Sequence, residues 1–162
     1  MSTVYLLVGV QGSGKSTWAR ANAEKLKAVV LASDEVRNEL EARGIDASTE
    51  GDQVFAIVEE RLGRLVDEGK NVIVDATHAR RKWREKHLGI ARKHGAKVVA
   101  VWLDVPLAVS LTRNAQKPGG LRWGERVVPK EILLGVAQSF EPPTKQEFDE
   151  VWRLESDHSE VN

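Results

Sequence analysis

Eight residues near the amino end, Gly9-Val10-Gln11-Gly12-Ser13-Gly14-Lys15-Ser16, have the types and spacing to hold a chain of phosphates. They fit GxxxxGK[ST] in full. The glycines let the backbone curl so that successive N–H groups point inward at anionic oxygens. Gly12, Ser13, Gly14 and Thr17 belong to that nest. Lys15 is placed to bridge the outer phosphates, and the Ser16 hydroxyl to bind a magnesium ion. Lys15 is therefore a catalytic as well as a nucleotide-binding candidate, with ATP or another nucleoside triphosphate and Mg2+ as the implied cofactors.

Further along, Asp75 closes the apolar run "NVIVD". An aspartate at the end of a buried strand is the second magnesium position, acting directly or through water. Ala76, Thr77 and His78 follow it, with no glutamate to activate water, which argues against an ATP-driven motor. No NKxD sequence is present for guanine recognition. After the run "AVVLA" comes "SDEVR". Asp34 and Arg37 are three residues apart on a first helical turn and share a face. A carboxylate there can take the proton of an attacking hydroxyl, and a guanidinium can pin an anionic acceptor. The stretch 113–126 supplies Arg113, Lys117, Arg122 and Arg126 among Gly119, Gly120 and Gly124, with Trp123 inside it. Glycine-hinged arginines in that place suggest a lid that closes over the nucleotide.

These residues need a scaffold. Short β-branched runs alternate with longer helical ones. Strands are expected at 3–8, 28–32 and 71–76, at "KVVAVWLDV", and at "EVWRLE" near the end. Helices are expected after the glycine loop, from Asp34 to about Ala42, over 49–68, from Arg80 to His94, after Pro106, and over "PKEILLGVAQSF", where Pro129 sits at the first turn. Such alternation implies an α/β three-layer sandwich with a central, mostly parallel, five-stranded sheet and helices on both faces. Ligands in that architecture sit beyond the carboxyl ends of the strands. Each chemically promising residue follows one of those ends.

The chain of 162 residues suits one domain, 1–162, with no repeat or linker. No apolar run approaches the length of a spanning helix, so no membrane is expected. Cysteine is absent, which removes disulfides and thiolate metal sites and fits a cytoplasmic location. The formal net charge is zero, so no long nucleic-acid footprint is implied globally. Charge is nonetheless uneven. Residues 80–97 hold eight Lys or Arg and a single acid, Glu85, whereas 34–68 hold eleven acids and four arginines. The basic block is either a solvated helix face or a wall for an anionic substrate. His87 and His94 within it read as surface residues, and the four histidines show no metal-ligand spacing.

The order "GSGKSTWAR", "SDEVR", "VIVDATH", "DVPLAVSLTRN" and "VPKEIL" resembles the P-loop kinase domain of polynucleotide 5′-kinases, as in the bacteriophage end-healing enzyme and bacterial RNA-repair proteins. The resemblance runs from about Val4 to Trp152. It implies the P-loop NTPase fold and transfer of the γ-phosphoryl group of ATP to the 5′-hydroxyl end of a nucleic acid. Asp34 would be the general base and Arg37 would bind the phosphate on the 3′ side of the terminal nucleotide. Arg113 would start the lid. The family's second lid arginine falls near Lys117 by counting. The longer segment here offers Arg122 and Arg126 for that role, Arg122 toward the nucleotide and Arg126 toward catalysis. His78 stands where the family often has an asparagine, and with Thr77 it is a candidate acceptor contact. Two other classes fit the same residues: a P-loop kinase of a small metabolite, nucleoside or antibiotic hydroxyl, and a non-catalytic nucleotide-binding module.

Overall fold

In a computed structural model, which describes residues 1–46, 51–116 and 128–155, five strands form one sheet. They are β1 (Thr3–Val8), β2 (Ala28–Ala32), β3 (Asn71–Asp75), β4 (Lys97–Asp104) and β5 (Glu150–Glu155). Their order is β2-β3-β1-β4-β5 and every pairing is parallel, so the sheet is wholly rather than mostly parallel. The helices are α1 (Lys15–Leu26), α2 (Ser33–Ala42), α3 (Gly51–Asp67), α4 (Arg81–Lys93), α5 (Leu107–Ala115) and α6 (Lys130–Gln138).

The alternation of β1 divides the core. Val4, Leu6 and Val8 point to one face and pack with Val36, Leu40, Val54, Val58, Leu62, Leu88 and Ala91 of α2, α3 and α4. Tyr5 and Leu7 point to the other and meet Trp18 and Ala19 of α1. Right-handed crossovers explain the division. The chain steps from β1 across to β2 through α1, and from β3 in the opposite direction to β4 through α4. Helices leaving in opposite directions must lie on opposite faces. A crevice therefore opens between the carboxyl ends of β1 and β3, where ligands bind in open α/β sheets.

Most of the basic block is a solvated helix face, with one buried exception. Arg84 on α4 is 0% exposed, with its guanidinium forked onto the Glu147 carboxylate at 3.0 and 3.1 Å. The same guanidinium donates to the carbonyls of His78 and Glu141. Arg81 also approaches Glu147, Lys86 approaches Glu59, and Lys97 pairs with Glu150. Arg92 donates to the Glu147 carbonyl and Arg80 lies over the Trp83 ring. Arg84 alone of the block's cations, all among the described residues, is buried; Arg80, Arg81, Lys82, Lys86, Arg92 and Lys93 stay exposed, several of them with a partner at the surface. Removing Glu147 leaves a buried, uncompensated guanidinium, so Glu147→Ala is expected to lower stability by about 3–5 kcal/mol. Urea denaturation checks this, and a loss below about 1 kcal/mol would mean that solvent reaches Arg84.

Candidate active site

The cradle lies between the end of β1 and the start of α1. Gly12 and Gly14 have φ values of 84° and 96°, a left-handed conformation that glycine adopts without strain. At Gly12 there is also no space: a Cβ there would lie 2.5 Å from the Ser110 carbonyl oxygen of α5. The loop is thus packed directly against α5, and Arg113 on the same helix donates from Nη1 to the Gly12 carbonyl at 3.2 Å. The Lys15 ammonium curls back onto the Gly9 and Val10 carbonyls at 3.1 and 3.0 Å. The Ser16 hydroxyl donates to Asp75 Oδ2 at 2.7 Å across the β1–β3 crevice. Serine and aspartate are held together where one hydrated cation would touch both.

These residues fit a nucleoside triphosphate with magnesium. Two side-chain oxygens of the loop, Gln11 Oε1 and Ser13 Oγ, are buried and have no hydrogen-bond partner among the described residues. An unmet polar group costs about 1–3 kcal/mol; a phosphate oxygen can accept from the Ser13 hydroxyl, whereas the Gln11 oxygen needs a donor or a cation. Thr17 is exposed one residue beyond Ser16.

The acceptor-side candidates stand two strands away. In register, Ala32 at the end of β2 lies opposite Asp75 at the end of β3. Adjacent strands are separated by about 4.8 Å, so the ends of β2 and β1 are roughly 10 Å apart. Asp34 follows β2 immediately, and its Oδ1 accepts from Arg37 Nη1 at 3.3 Å. Asp34 is half exposed, whereas Arg37 is mostly covered, its guanidinium lying over the Phe55 ring at 5.7 Å. Phe55, on α3, was not evident from sequence as part of this group. Its helical spacing marks only a core-facing side.

His78 does not meet the expectation of an acceptor contact. It is 1% exposed and both ring nitrogens are engaged. Its Nδ1 lies 2.7 Å from the Leu7 carbonyl, which only accepts, so Nδ1 carries the proton. Its Nε2 then accepts from His87 Nδ1 at 2.8 Å. His87 is 3% exposed, not a surface residue as its basic surroundings suggested. His94 pairs with Asp67 at the surface end of α4. Thr77 is half-buried beside the Asp75 strand end. Lys117, Arg122, Trp123 and Arg126, the expected lid, lie outside the described residues. Sequence reasoning missed Asn114, which is buried, donates to the Val128 carbonyl at 2.7 Å and accepts from the Val128 amide at 2.9 Å.

Fold and site together define a P-loop kinase. The family described as AAA domain matches residues 4–143, and the chain belongs to it. Among curated relatives, a shikimate kinase from Gloeobacter violaceus is 33% identical over 138 residues, spanning 80% of this chain and 73% of that protein. A protein described as a probable adenylyl-sulfate kinase from Archaeoglobus fulgidus is 32% identical over 154 residues, spanning 91% of this chain and 94% of its own length. Among solved structures, a chain of the Pnkp1/Rnl/Hen1 RNA repair complex superposes with a TM-score of 0.67 at 22% identity, covering 85% of this chain and 44% of that one. ATP with magnesium is the phosphate donor of such kinases. Among the described residues no helix is long and apolar enough to cross a membrane.

The histidine pair makes a pH prediction. Burial first, then the neighbouring His87, pushes His78 down to about 3, and burial pushes His87 down to about 4. In the unfolded chain both titrate near 6.5. Below that value the unfolded state takes up protons that the folded state refuses. Stability present above about pH 6.5 is therefore lost as pH falls toward 4, by up to about 1.4 kcal/mol per histidine per pH unit. Urea unfolding at pH 7 and pH 5 measures the slope, and His87→Gln is expected to flatten it. An identical slope in that variant would contradict the assignment.

Proposed function

We propose that this kinase phosphorylates a hydroxyl of a small anionic metabolite, with Asp34 as general base and Arg37 as the anchor for the acceptor's negative group. One observation carries the reading: Asp34 and Arg37 are paired at 3.3 Å on the turn that follows β2, at the same carboxyl end of the sheet as Ser16 and Asp75. A carboxylate near a donor phosphate can accept the proton of an attacking hydroxyl. A guanidinium whose orientation is held by a ring is preorganised for a carboxylate or phosphate on the acceptor. The shikimate and adenylyl-sulfate kinases among its relatives support a compact acceptor.

In the proposed step the acceptor oxygen attacks the γ-phosphorus as its proton passes to Asp34, and ADP leaves. Lys15 and the amide-lined cradle offset charge on the phosphoryl oxygens. Ser16 and Asp75 would hold a magnesium ion, which would neutralise charge on the outer phosphates.

The "SDEVR" order and the RNA-repair neighbour support a second reading, transfer to a polynucleotide 5′-hydroxyl with Arg37 on the adjoining phosphate. One assay separates them. γ-Labelled ATP is offered with a panel of hydroxy acids, sugar phosphates and nucleotides, and in parallel with a 5′-hydroxyl oligonucleotide. Label on a panel member and none on the oligonucleotide is the expected outcome; label on the oligonucleotide alone would overturn the small-acceptor reading. On whichever acceptor is labelled, Asp34→Ala is expected to slow transfer about 10²- to 10⁴-fold with ATP binding retained. Arg37→Ala is expected to raise the KM for the acceptor more than that for ATP, and equal effects on both would contradict the anchor role.

A further inference from the structure

The Gln11 side chain is a polar group of the cradle that neither the motif nor the reaction scheme uses. Its carbonyl oxygen is buried and unmatched by any donor among the described residues. The loop cannot easily shift to relieve it. Gly12 beside it is pressed against the Ser110 carbonyl and held by Arg113, and a Cβ at Gly9 would lie 2.6 Å from Ser13 Oγ and 3.2 Å from the Leu103 carbonyl oxygen.

The position of Gln11 along the cradle follows from Lys15. A lysine of this motif reaches the outer phosphates, and its ammonium here rests on the carbonyls of Gly9 and Val10. Residues 9–11 therefore border the outer end of the phosphate chain. The helix amino terminus at Gly14–Ser16 borders the inner end. A primary amide has a donor end and an acceptor end, and which end is which is fixed by its partners. A terminal phosphoryl oxygen satisfies only the donor end. The Lys15 ammonium, with three N–H donors, satisfies the acceptor end. A third phosphate that draws Lys15 off the Gly9 and Val10 carbonyls would bring both together.

We propose that Gln11 is a specificity-determining residue that recognises the γ-phosphoryl group, so that the cradle separates a triphosphate from a diphosphate through this side chain. The inference rests on ATP as donor and is independent of which acceptor is used.

The test needs no acceptor. Calorimetry measures the Kd of the magnesium complexes of AMP-PNP and of ADP for the wild type, Gln11→Ala and Gln11→Glu. A hydrogen bond to a charged group corresponds to a roughly 10- to 100-fold change in affinity. Gln11→Ala is expected to weaken AMP-PNP by about that factor and to leave ADP within about twofold. Gln11→Glu is expected to weaken AMP-PNP further, because a carboxylate then faces the phosphate. Unchanged ADP binding also reports that the variants are folded. An equal loss for both nucleotides would make Gln11 a structural residue of the loop, and no loss for either would remove it from the site. Both outcomes overturn the proposal while leaving the Asp34 reading intact.

Discussion

The Ser16 hydroxyl meets the Asp75 carboxylate at 2.7 Å, and that contact exists only because β1 and β3 are neighbours. Residue 16 and residue 75 are far apart in the chain. They meet because the crossovers from the two strands leave in opposite directions and open a crevice between them. The cradle, the ion position and the α2 turn with Asp34 are all referred to that pair of strand ends. The core on either side is the frame that fixes the distance. Val4, Leu6 and Val8 lock β1 to the α2–α4 layer, while Tyr5 and Leu7 lock it to α1. A one-residue slip of β1 would exchange those faces, so register is strongly specified by burial.

Polar groups are used in the interior with comparable strictness. Glu147 gathers Arg84 by two bonds, lies near Arg81, and accepts from the amide and hydroxyl of Thr144. Through Arg84 it also reaches the carbonyls of His78 and Glu141. That network ties the loop after β3 to the turn before β5. The His78–His87 pair continues inward from it to the Leu7 carbonyl on β1. The segment behind the Asp75 strand end is therefore clamped from below, which keeps the carboxylate facing Ser16.

Much of this was legible in the residues. All five strands were, because a sheet buried on both faces needs unbroken apolar runs, and β1 and β2 match 3–8 and 28–32 residue for residue. The cradle and Asp75 were legible because their chemistry is local to a motif or to a strand end. The interior of α4 was not. Arg84 and His87 share a helix face with Leu88 and Ala91, but their own residue types and the surrounding lysines and arginines read as exposed. Their partners, Glu147 and His78, come from segments 63 and 9 residues away. Charge in the core is legible only as a pair, and the pairing is a property of the fold. The same holds for Phe55 under Arg37, an ordinary apolar helix position until α2 and α3 are brought together.

Asn114 spans the two ends of the stretch that joins α5 to α6, closing it with a donor and an acceptor on one residue, Val128. The end of α5 is thus tied to the start of α6 through Asn114 and Val128. Lengthening a closed loop costs only about 0.6 kcal/mol for each doubling. A change in the length of that connection is therefore a small cost to the frame that Asn114 closes.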